Sequence, residues 1–417
     1  MARSASLFTT VEPGSKNGWL SFLRARGVQP TTGRPNALHN VGIRQFSDEH
    51  GGRVDWLAWD QVETHVQAWR SLAARAVQPN VFLEPAFVLT AIRHEPVVRR
   101  PSFLLVWDAD DATRLIGLFP IRLPLRPQDA IATCWQHEEA TIGGALLDKM
   151  SGGAAIAAML RWIAECEPQL CGLMFTAVPL DGFLETLFGQ SAGRNGGIRI
   201  VEGSERNVLT GAAGGAVRPK AARATDEPMP RIDGSQRIRA KTNPEIRSAL
   251  EDFLTLDARE ATATGHALVD NPGQTTFARA MTRLMAREGM CQIEALVSAG
   301  RTIAAAILLR SGGTTYFWKL AFSRAAVAQA AIRGFVADIL TDEAARGCKT
   351  IFSCDLPEAI DPRTTSLADM LVADVIVAPA GRLPREVTTA LQREKRRRLA
   401  SGIRQHLLRI SAGGKRF

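Results

Sequence analysis

The sequence has no apolar run as long as a membrane span, which needs about 18 residues. Residues 1–19 also lack the apolar core of a signal peptide. These two absences favour a protein of the cytoplasm. With 46% hydrophobic and 22% charged residues, the chain can bury a core of ordinary size and is not of a disordered type.

Paired cysteines and metal-ligand spacings are missing as well. None of the six cysteines forms a C-x-x-C pair, so we expect free thiols and no disulfide framework. The run His137-Glu138-Glu139 resembles a ligand cluster, but three consecutive residues do not share one face of a helix or strand. We interpret it as a loop and predict no metal site.

Net charge is absent from most of the chain. Residues 382–417 hold eleven Lys/Arg and two Asp/Glu, a net +9 that equals the charge of the whole protein. The body is therefore balanced and gives no reason to expect nucleic acid there. Apolar residues recur at multiples of four in this tail and predict a basic amphipathic helix. It could dock on the body, or contact an anionic membrane, the phosphates of a cofactor or RNA.

One stretch of the sequence organises the rest. Residues 291–322 hold three apolar runs separated by turns at Gly300 and at 312–313, which predicts an antiparallel meander. A helix over 325–346 and a short strand over 350–355 follow it. The pattern is typical of a mixed α+β layer, in which ligands often lie where a strand ends and a helix begins.

The same order of elements is predicted earlier in the chain. Two helices (56–76, and 84–94 opened by Pro85), a strand–turn–strand unit, a further helix (153–166) and a strand at 172–178 are predicted in this order, followed by a helix at 181–190. They precede a Gly/Pro-rich break, and this order favours an internal duplication. The second helix pair is predicted at 243–254 and 275–288. We therefore divide the chain into a poorly ordered arm (1–52), an N-terminal domain (53–202), a linker (203–235), a C-terminal domain (236–381) and a basic tail (382–417).

Several segments together resemble a known family. The C-terminal run contains RIRAKTNPEIRSALEDFLTLDAREATATGHAL, RTIAAAILLRSGGTTYFWKLAF and CDLPEAIDPRTTSLADM. These resemble the acyl-CoA N-acyltransferase (GNAT) domain of CelD-type cellulose-biosynthesis and BioF2-like proteins. NVFLEPAFVLTAIRHE and RLIGLFPIRLP resemble that family's first half. The resemblance covers roughly residues 56–380 and implies two tandem GNAT-like domains, as in the FemAB aminoacyl transferases.

The resemblance also implies where acyl-CoA would bind. The pantetheine would lie along the strand 314–322 and the pyrophosphate on the loop 323–334, beside the start of the next helix. The residues implied for acetyl-CoA or another acyl-CoA are Tyr316, Trp318, Lys319, Arg324, Gln329, Arg333 and Gly334. Asp355, at a strand end, and His266, in a polar loop, are the acid/base candidates.

Three functions remain open on this sequence. The first is an acyl-CoA-dependent N- or O-acyltransferase that acts on an amine or hydroxyl in cellulose, exopolysaccharide or envelope biosynthesis. The second is a non-catalytic binding or scaffold protein of a polysaccharide synthase, peripheral to the membrane through its tail. The motivation for this second function is that Ala330-Ala331-Ile332 stands where the family has Ser-Pro-Gly. The third is a FemAB-like transferase that uses aminoacyl-tRNA.

Overall fold

The computed structural model describes ten stretches of the chain, all within the compact unit Gly42–Phe417. They are residues 44–47, 52–125, 130–179, 196–210, 218–219, 234–261, 267–324, 326–352, 354 and 367–379, with isolated positions 388, 389, 392 and 396. Side chains are not described for 44–47, 196–210, 218–219, 261, 326–330 and 367–371. The helix predicted at 181–190 and nearly all of the predicted tail helix lie outside these stretches.

The described helices number six, apart from short 3-10 turns. They are α1 (Val66–Arg75), α2 (Pro85–His94), α3 (Gly152–Cys166), α4 (Asn243–Ala261), α5 (Pro272–Arg287) and α6 (Ala326–Ala345). Local sequence explains their ends. Pro85 opens α2 at a position where its missing N–H costs nothing. Asn271 caps α5 by accepting from the backbone N–H groups of Gly273 and Gln274 at 3.0 and 3.3 Å.

Fifteen strands form one sheet in the part of the chain described here. The first half contributes β1 (Arg44–Ser47), β2 (Arg53–Leu57), β3 (Ser102–Trp107), β4 (Leu115–Arg122), β5 (Ile131–Cys134), β6 (Leu146–Leu147) and β7 (Gly172–Pro179). β8 (Gly196–Thr210) and β9 (Arg218–Pro219) follow. The second half contributes β10 (Gln236–Ala240), β11 (Cys291–Ser298), β12 (Arg301–Ser311), β13 (Thr314–Phe322), β14 (Thr350–Phe352) and β15 (Leu367–Pro379).

The two halves repeat one topology. The chain order β2-α1-α2-β3-β4-β5-α3-β7 matches β10-α4-α5-β11-β12-β13-α6-β14, and the strands lie side by side in the same order. In each half the last pair is parallel, β5 with β7 and β13 with β14, while the meander is antiparallel. The mixed α+β class, with a meander and flanking helices in each half, is confirmed.

The strands that follow each half are exchanged at the centre of the sheet. β8 comes after the first half but pairs with β14, and β15 comes after the second half but pairs with β7. β8 and β15 then pair with each other in antiparallel register. One sheet therefore joins both halves, and part of β8 lies in the segment predicted to be a linker.

The core also crosses from one half to the other. The ring centroids of Phe87 on α2 and Phe277 on α5 lie 5.3 Å apart, edge to face, and both side chains are buried. The single tyrosine, Tyr316 on β13, donates its hydroxyl to the carbonyl oxygen of Pro79 at 2.8 Å. The buried ring of this tyrosine adds apolar contact, and the hydrogen bond of its hydroxyl fixes the orientation of the ring. The halves are thus fixed against each other beside β13.

The helix prediction for 56–76 is wrong at its start. Trp56 lies in β2, and its ring stacks on Trp162 of α3 at 4.7 Å. The neighbouring Asp55 is buried and accepts a hydrogen bond from Trp107 Nε1 at 2.7 Å. These contacts come from distant parts of the chain, so tertiary packing overrides the local helical spacing. The helix itself begins only at Val66.

Candidate acyl-transfer site between two parallel strands

The candidate site begins where β13 and β14 separate. Their parallel pairing runs only from Thr314 opposite Thr350 to Tyr316 opposite Phe352. On that side, no described strand pairs with residues 317–322. Within those residues the edge of β13 therefore offers backbone N–H and C=O groups that an extended ligand can pair with.

A β-bulge lies at the same point on the other edge of β13. The register with β12 passes from Lys319 opposite Ile307 to Phe317 opposite Leu308, so Trp318 is an extra residue without its own partner. A bulge disrupts the ladder locally and re-aims the groups beside it, and bulges are common next to active sites. The bulge and the strand separation thus coincide within two residues.

A loop of the first half closes one face of this gap. Trp318 Nε1 donates to the carbonyl oxygen of Glu139 at 3.0 Å, and Lys319 Nζ lies 2.8 Å from Glu139 Oε2. Thr141 Oγ1 lies 3.1 Å from the sulfur of Cys354, just beyond β14. Residues 137–141 therefore contact β13 and the chain just beyond β14, and they place a carboxylate beside the bulge.

His137 supports this loop from below. Its ring lies 4.5 Å from that of Phe277, and its Nδ1 accepts the backbone N–H of Glu139 at 3.2 Å. Burial lowers the pKa of His137 to about 4, so the ring is neutral near pH 7. A neutral, buried ring in this position acts as a spacer and hydrogen-bond acceptor for the loop.

The corresponding gap of the first half is filled by its own chain. Beyond the parallel pairing of β5 with β7, the backbone N–H of Gly143 donates to the carbonyl oxygen of Ala177 at 3.0 Å. A Cβ on Gly143 would lie 2.4 Å from the oxygen of Thr176, so the chain passes very close to β7. The gap beside β13 is therefore the better candidate of the two.

The start of α6 forms the far end of the candidate site. The backbone N–H of Arg324 donates to Glu260 Oε2 at 3.2 Å, which brings a carboxylate from the end of α4 to the loop before α6. The side chains of Arg324 and Arg333 are exposed, whereas Gly334 is buried within the helix. Because this N–H already donates to a carboxylate, it can also donate to an oxyanion of a ligand.

A buried ionic cluster holds α6 on the meander at the opposite end of β13. Glu343 accepts hydrogen bonds from Arg310 Nε at 2.8 Å, Arg346 Nη1 at 2.6 Å and Thr315 Oγ1 at 2.7 Å. Burial alone would raise the pKa of the Glu343 carboxyl, but these partners lower it below its ordinary value. The cluster fixes the helix that follows the candidate site.

The predicted site residues fall into three groups. Tyr316 and Trp318 are buried with their polar atoms already bonded to Pro79 and Glu139, so they would reach a ligand only through their backbone. Lys319 lies on β13 and Arg324 lies just before α6. Arg333 and Gly334 are the eighth and ninth residues of α6, so the segment 323–334 is helical from Ala326 onward and is not the predicted loop. His266, Asp355 and the side chain of Gln329 lie outside the described residues, so their assignments stay predictions.

Sequence reasoning missed Glu139. The letters His-Glu-Glu were visible, but only the contact with Lys319 gives the third residue a place beside β13. Ile332 and Phe335, which could have plugged the gap, are buried under α6 against Phe317, in a different core cluster from Tyr316 and Trp318. Among the described residues, no cluster of His, Cys, Asp and Glu could hold a metal ion, and no helix could span a membrane.

The comparisons with known proteins agree with this topology in the second half. Residues 217–353, about a third of the chain, match the family model of the acetyltransferase (GNAT) domain. That match spans β10 to β14 and hence both strands of the candidate gap. No curated protein sequence matches the chain.

Several solved structures are similar at low identity. A tandem GNAT protein from the clavulanic acid biosynthesis pathway is 15% identical (TM-score 0.36), with 79% of this chain and 99% of that one covered. FemX is 10% identical (TM-score 0.47), with 74% and 95% covered. The L-PGS of Bacillus licheniformis is 10% identical (TM-score 0.41), with 80% and 95% covered.

Proposed function

We propose that the protein is an acyl-CoA-dependent acyltransferase whose site is the gap between β13 and β14. The observation that carries the proposal is the separation of these strands after Tyr316 and Phe352, with the bulge at Trp318 beside it. The match of residues 217–353 to the acetyltransferase domain supports it.

The residues of the gap fit an extended thioester with an anionic end. Acyl-CoA would supply the activated acyl group. The backbone edge of residues 317–322 would pair with amide groups, and a freed N–H at the bulge would stabilise negative charge on the thioester oxygen. The loop before α6, with Arg324 in it, would hold the diphosphate, and Arg333, two turns into the helix, would add positive charge.

Glu139 is the group that we assign to the acceptor. An amine or hydroxyl of the acceptor attacks the thioester carbon, the C–S bond breaks, and the sulfur leaves as a thiolate that takes a proton from solvent. The proton released by the acceptor passes to a base, for which the carboxylate of Glu139 lies beside the bulge. Lys319 orients this carboxylate through their 2.8 Å contact. Asp355 and His266 remain further acid/base candidates.

The acceptor and the setting are the finer part of the proposal. From the resemblance to CelD-type and BioF2-like proteins, we propose an acceptor in cellulose, exopolysaccharide or envelope biosynthesis and a cytoplasmic location. Contact with a polysaccharide synthase or with the membrane would fall to the basic tail. A scaffold role without catalysis and transfer from aminoacyl-tRNA are the alternatives.

Isothermal titration of the full-length protein with acetyl-CoA and longer acyl-CoAs tests the proposal. We expect saturable binding that weakens in Arg324→Ala but not in Arg301→Ala, which changes an exposed arginine at the start of β12. Glu260→Gln should tighten binding because it removes a negative charge beside the anion loop. Absence of binding by any acyl-CoA, in protein shown to be folded by circular dichroism, would exclude acyl-CoA as donor.

A further inference from the structure

A second concave site lies on the outer side of α4 and α5. The groove between the two helices has a volume of about 590 Å³ and is lined mainly by polar and charged side chains. Those that the argument uses are Asn243, Arg247, Ser248, Asp252, Arg283 and Arg287. A volume of this size is in the range of small-molecule sites. None of these residues belongs to the gap beside β13.

Three arginines of the groove have no carboxylate partner within the described part of the chain. Arg247, Arg283 and Arg287 are exposed and form no ion pair there. By contrast, their neighbour Arg279 binds both carboxylate oxygens of Glu251 at 2.7 Å. The pKa of Glu251 is lowered first by its hydrogen bonds to Arg279, and the charges of Arg247 and Arg283 lower it further. The groove thus carries an excess of positive charge.

Two of these guanidinium groups are held in place through the backbone and a neighbouring amide. Arg283 Nε donates to the carbonyl oxygen of Arg279 at 2.7 Å. With its amide oriented to satisfy both neighbours, Asn243 donates to the carbonyl oxygen of Arg283 at 3.0 Å and accepts from Arg287 Nε at 3.2 Å. Because the Nε atoms of Arg283 and Arg287 are already hydrogen-bonded, both guanidinium groups are oriented in advance. Their terminal Nη atoms are left to bind a ligand.

The row of arginines destabilises α5, the helix on which it lies. Arg279, Arg283 and Arg287 follow one another at four-residue spacing on α5, and like charges at that spacing repel. Only Arg287, in the last turn, gains from the helix dipole. A ligand that neutralises Arg283 and Arg287 together would remove the repulsion.

We propose that this groove binds the phosphate group of a small polyhydroxylated molecule, such as a sugar phosphate. Arg283 and Arg287 would hold the phosphate oxygens, with Arg247 facing them from α4. Ser248 and Asp252 would accept hydrogen bonds from hydroxyl groups. The acidic Glu251 and Asp252 on the same groove disfavour an extended polyanion such as RNA, because its successive phosphates would lie against them.

Titration of the full-length protein with glucose 6-phosphate, inorganic phosphate and glucose tests this inference by calorimetry. We expect glucose 6-phosphate to bind more tightly than phosphate, and glucose not to bind. Arg283→Gln and Arg287→Gln should each weaken glucose 6-phosphate binding about tenfold or more, because each removes a charged fork. Arg301→Gln, an exposed control, and Arg324→Ala, at the anion loop beside β13, should bind as the parent does.

The Asp252→Asn variant separates the two parts of the ligand. It should weaken binding of glucose 6-phosphate but not of inorganic phosphate, because only the former offers hydroxyl donors. Equal affinities for the two phosphates in the parent would overturn the assignment of a polyhydroxylated ligand. No binding of either phosphate, or equal binding by the Arg283 and Arg287 variants when circular dichroism shows all to be folded, would overturn the site itself.

Discussion

Lys319 on β13 and Glu139 in a loop of the other half form an ion pair with 2.8 Å between Nζ and Oε2. Both side chains are mostly buried, at 24% and 13% exposure, so solvent screens the pair less than it screens a surface pair. The pair lies beside the bulge, where acceptor chemistry would take place. The half with the candidate site thus receives a candidate base from the half whose own gap is filled.

Glu139→Gln should reduce the rate of acyl transfer by about 10²- to 10⁴-fold, the usual contribution of a general base. Binding of acyl-CoA should be unchanged, because Glu139 lies on the acceptor side. Steady-state kinetics over a range of pH, alongside calorimetry, separates the two effects. Glu138→Gln is the matched control, since Glu138 is exposed and contacts Gln274 instead. If both variants had equal rates, Glu139 would not be the base.

The buried His137 predicts how stability depends on pH. Its folded pKa of about 4 lies below the unfolded value of 6.5, so the unfolded chain binds more protons between these values. Stability should therefore rise with pH from 4 to 6.5, by about 3 kcal/mol for this group. Urea unfolding of His137→Asn, which keeps a hydrogen-bond acceptor, should show a flatter profile. An unchanged profile would contradict the assignment.

Gly312 should be much less replaceable than Gly300, although both have positive φ angles of 56° and 71°. A Cβ on Gly312 would lie 2.7 Å from Pro79 Cγ, whereas nothing lies within 4 Å of one on Gly300. Gly300→Ala should cost about 1–2 kcal/mol from the backbone alone. Gly312→Ala should cost about 1–3 kcal/mol more through the clash between the halves. Equal midpoints of urea unfolding for the two variants would show that Pro79 moves away from the new Cβ at no cost in stability.

Glu343→Gln should destabilise the fold by about 3 kcal/mol, since it leaves Arg310 without its buried countercharge. Glu251→Gln breaks an exposed pair with Arg279 and should cost less than about 1 kcal/mol. Since the folded pKa of Glu343 is lowered, its contribution is present above the unfolded pKa and is lost as the pH falls through the folded one. Equal losses for the two variants in equilibrium unfolding would contradict this difference.

The sequence predicted elements whose ends are marked locally. The meander of β11, β12 and β13 is predictable because Gly300 and Gly312 supply positive φ between apolar runs. Helix α2 was legible because Pro85 marks its first turn. The repeat of helices, meander, helix and strand was predicted from pattern alone, and the sheet confirms its order.

What the sequence did not reveal depends on contacts between distant segments. The last two residues of β2 were assigned to a helix because Trp59, Val62 and Val66 after them are spaced three and four apart, but pairing with β3 places them in the sheet. β15 was not predicted at all, although it pairs with β7 and β8. The role of Glu139 likewise depends on how the two halves pack. The spacing of residues within one segment does not indicate which distant segment will pair with it.

The exchange of β8 and β15 has a consequence for synthesis on the ribosome. β7 is complete once residue 179 has been made, but its neighbour β15 ends at residue 379. The edge of β7 that pairs with β15 therefore stays unpaired until nearly all of the remaining chain has emerged. A bare strand edge invites pairing with other nascent chains. Premature termination before residue 367 would thus expose the first half to aggregation instead of releasing it as a separate product.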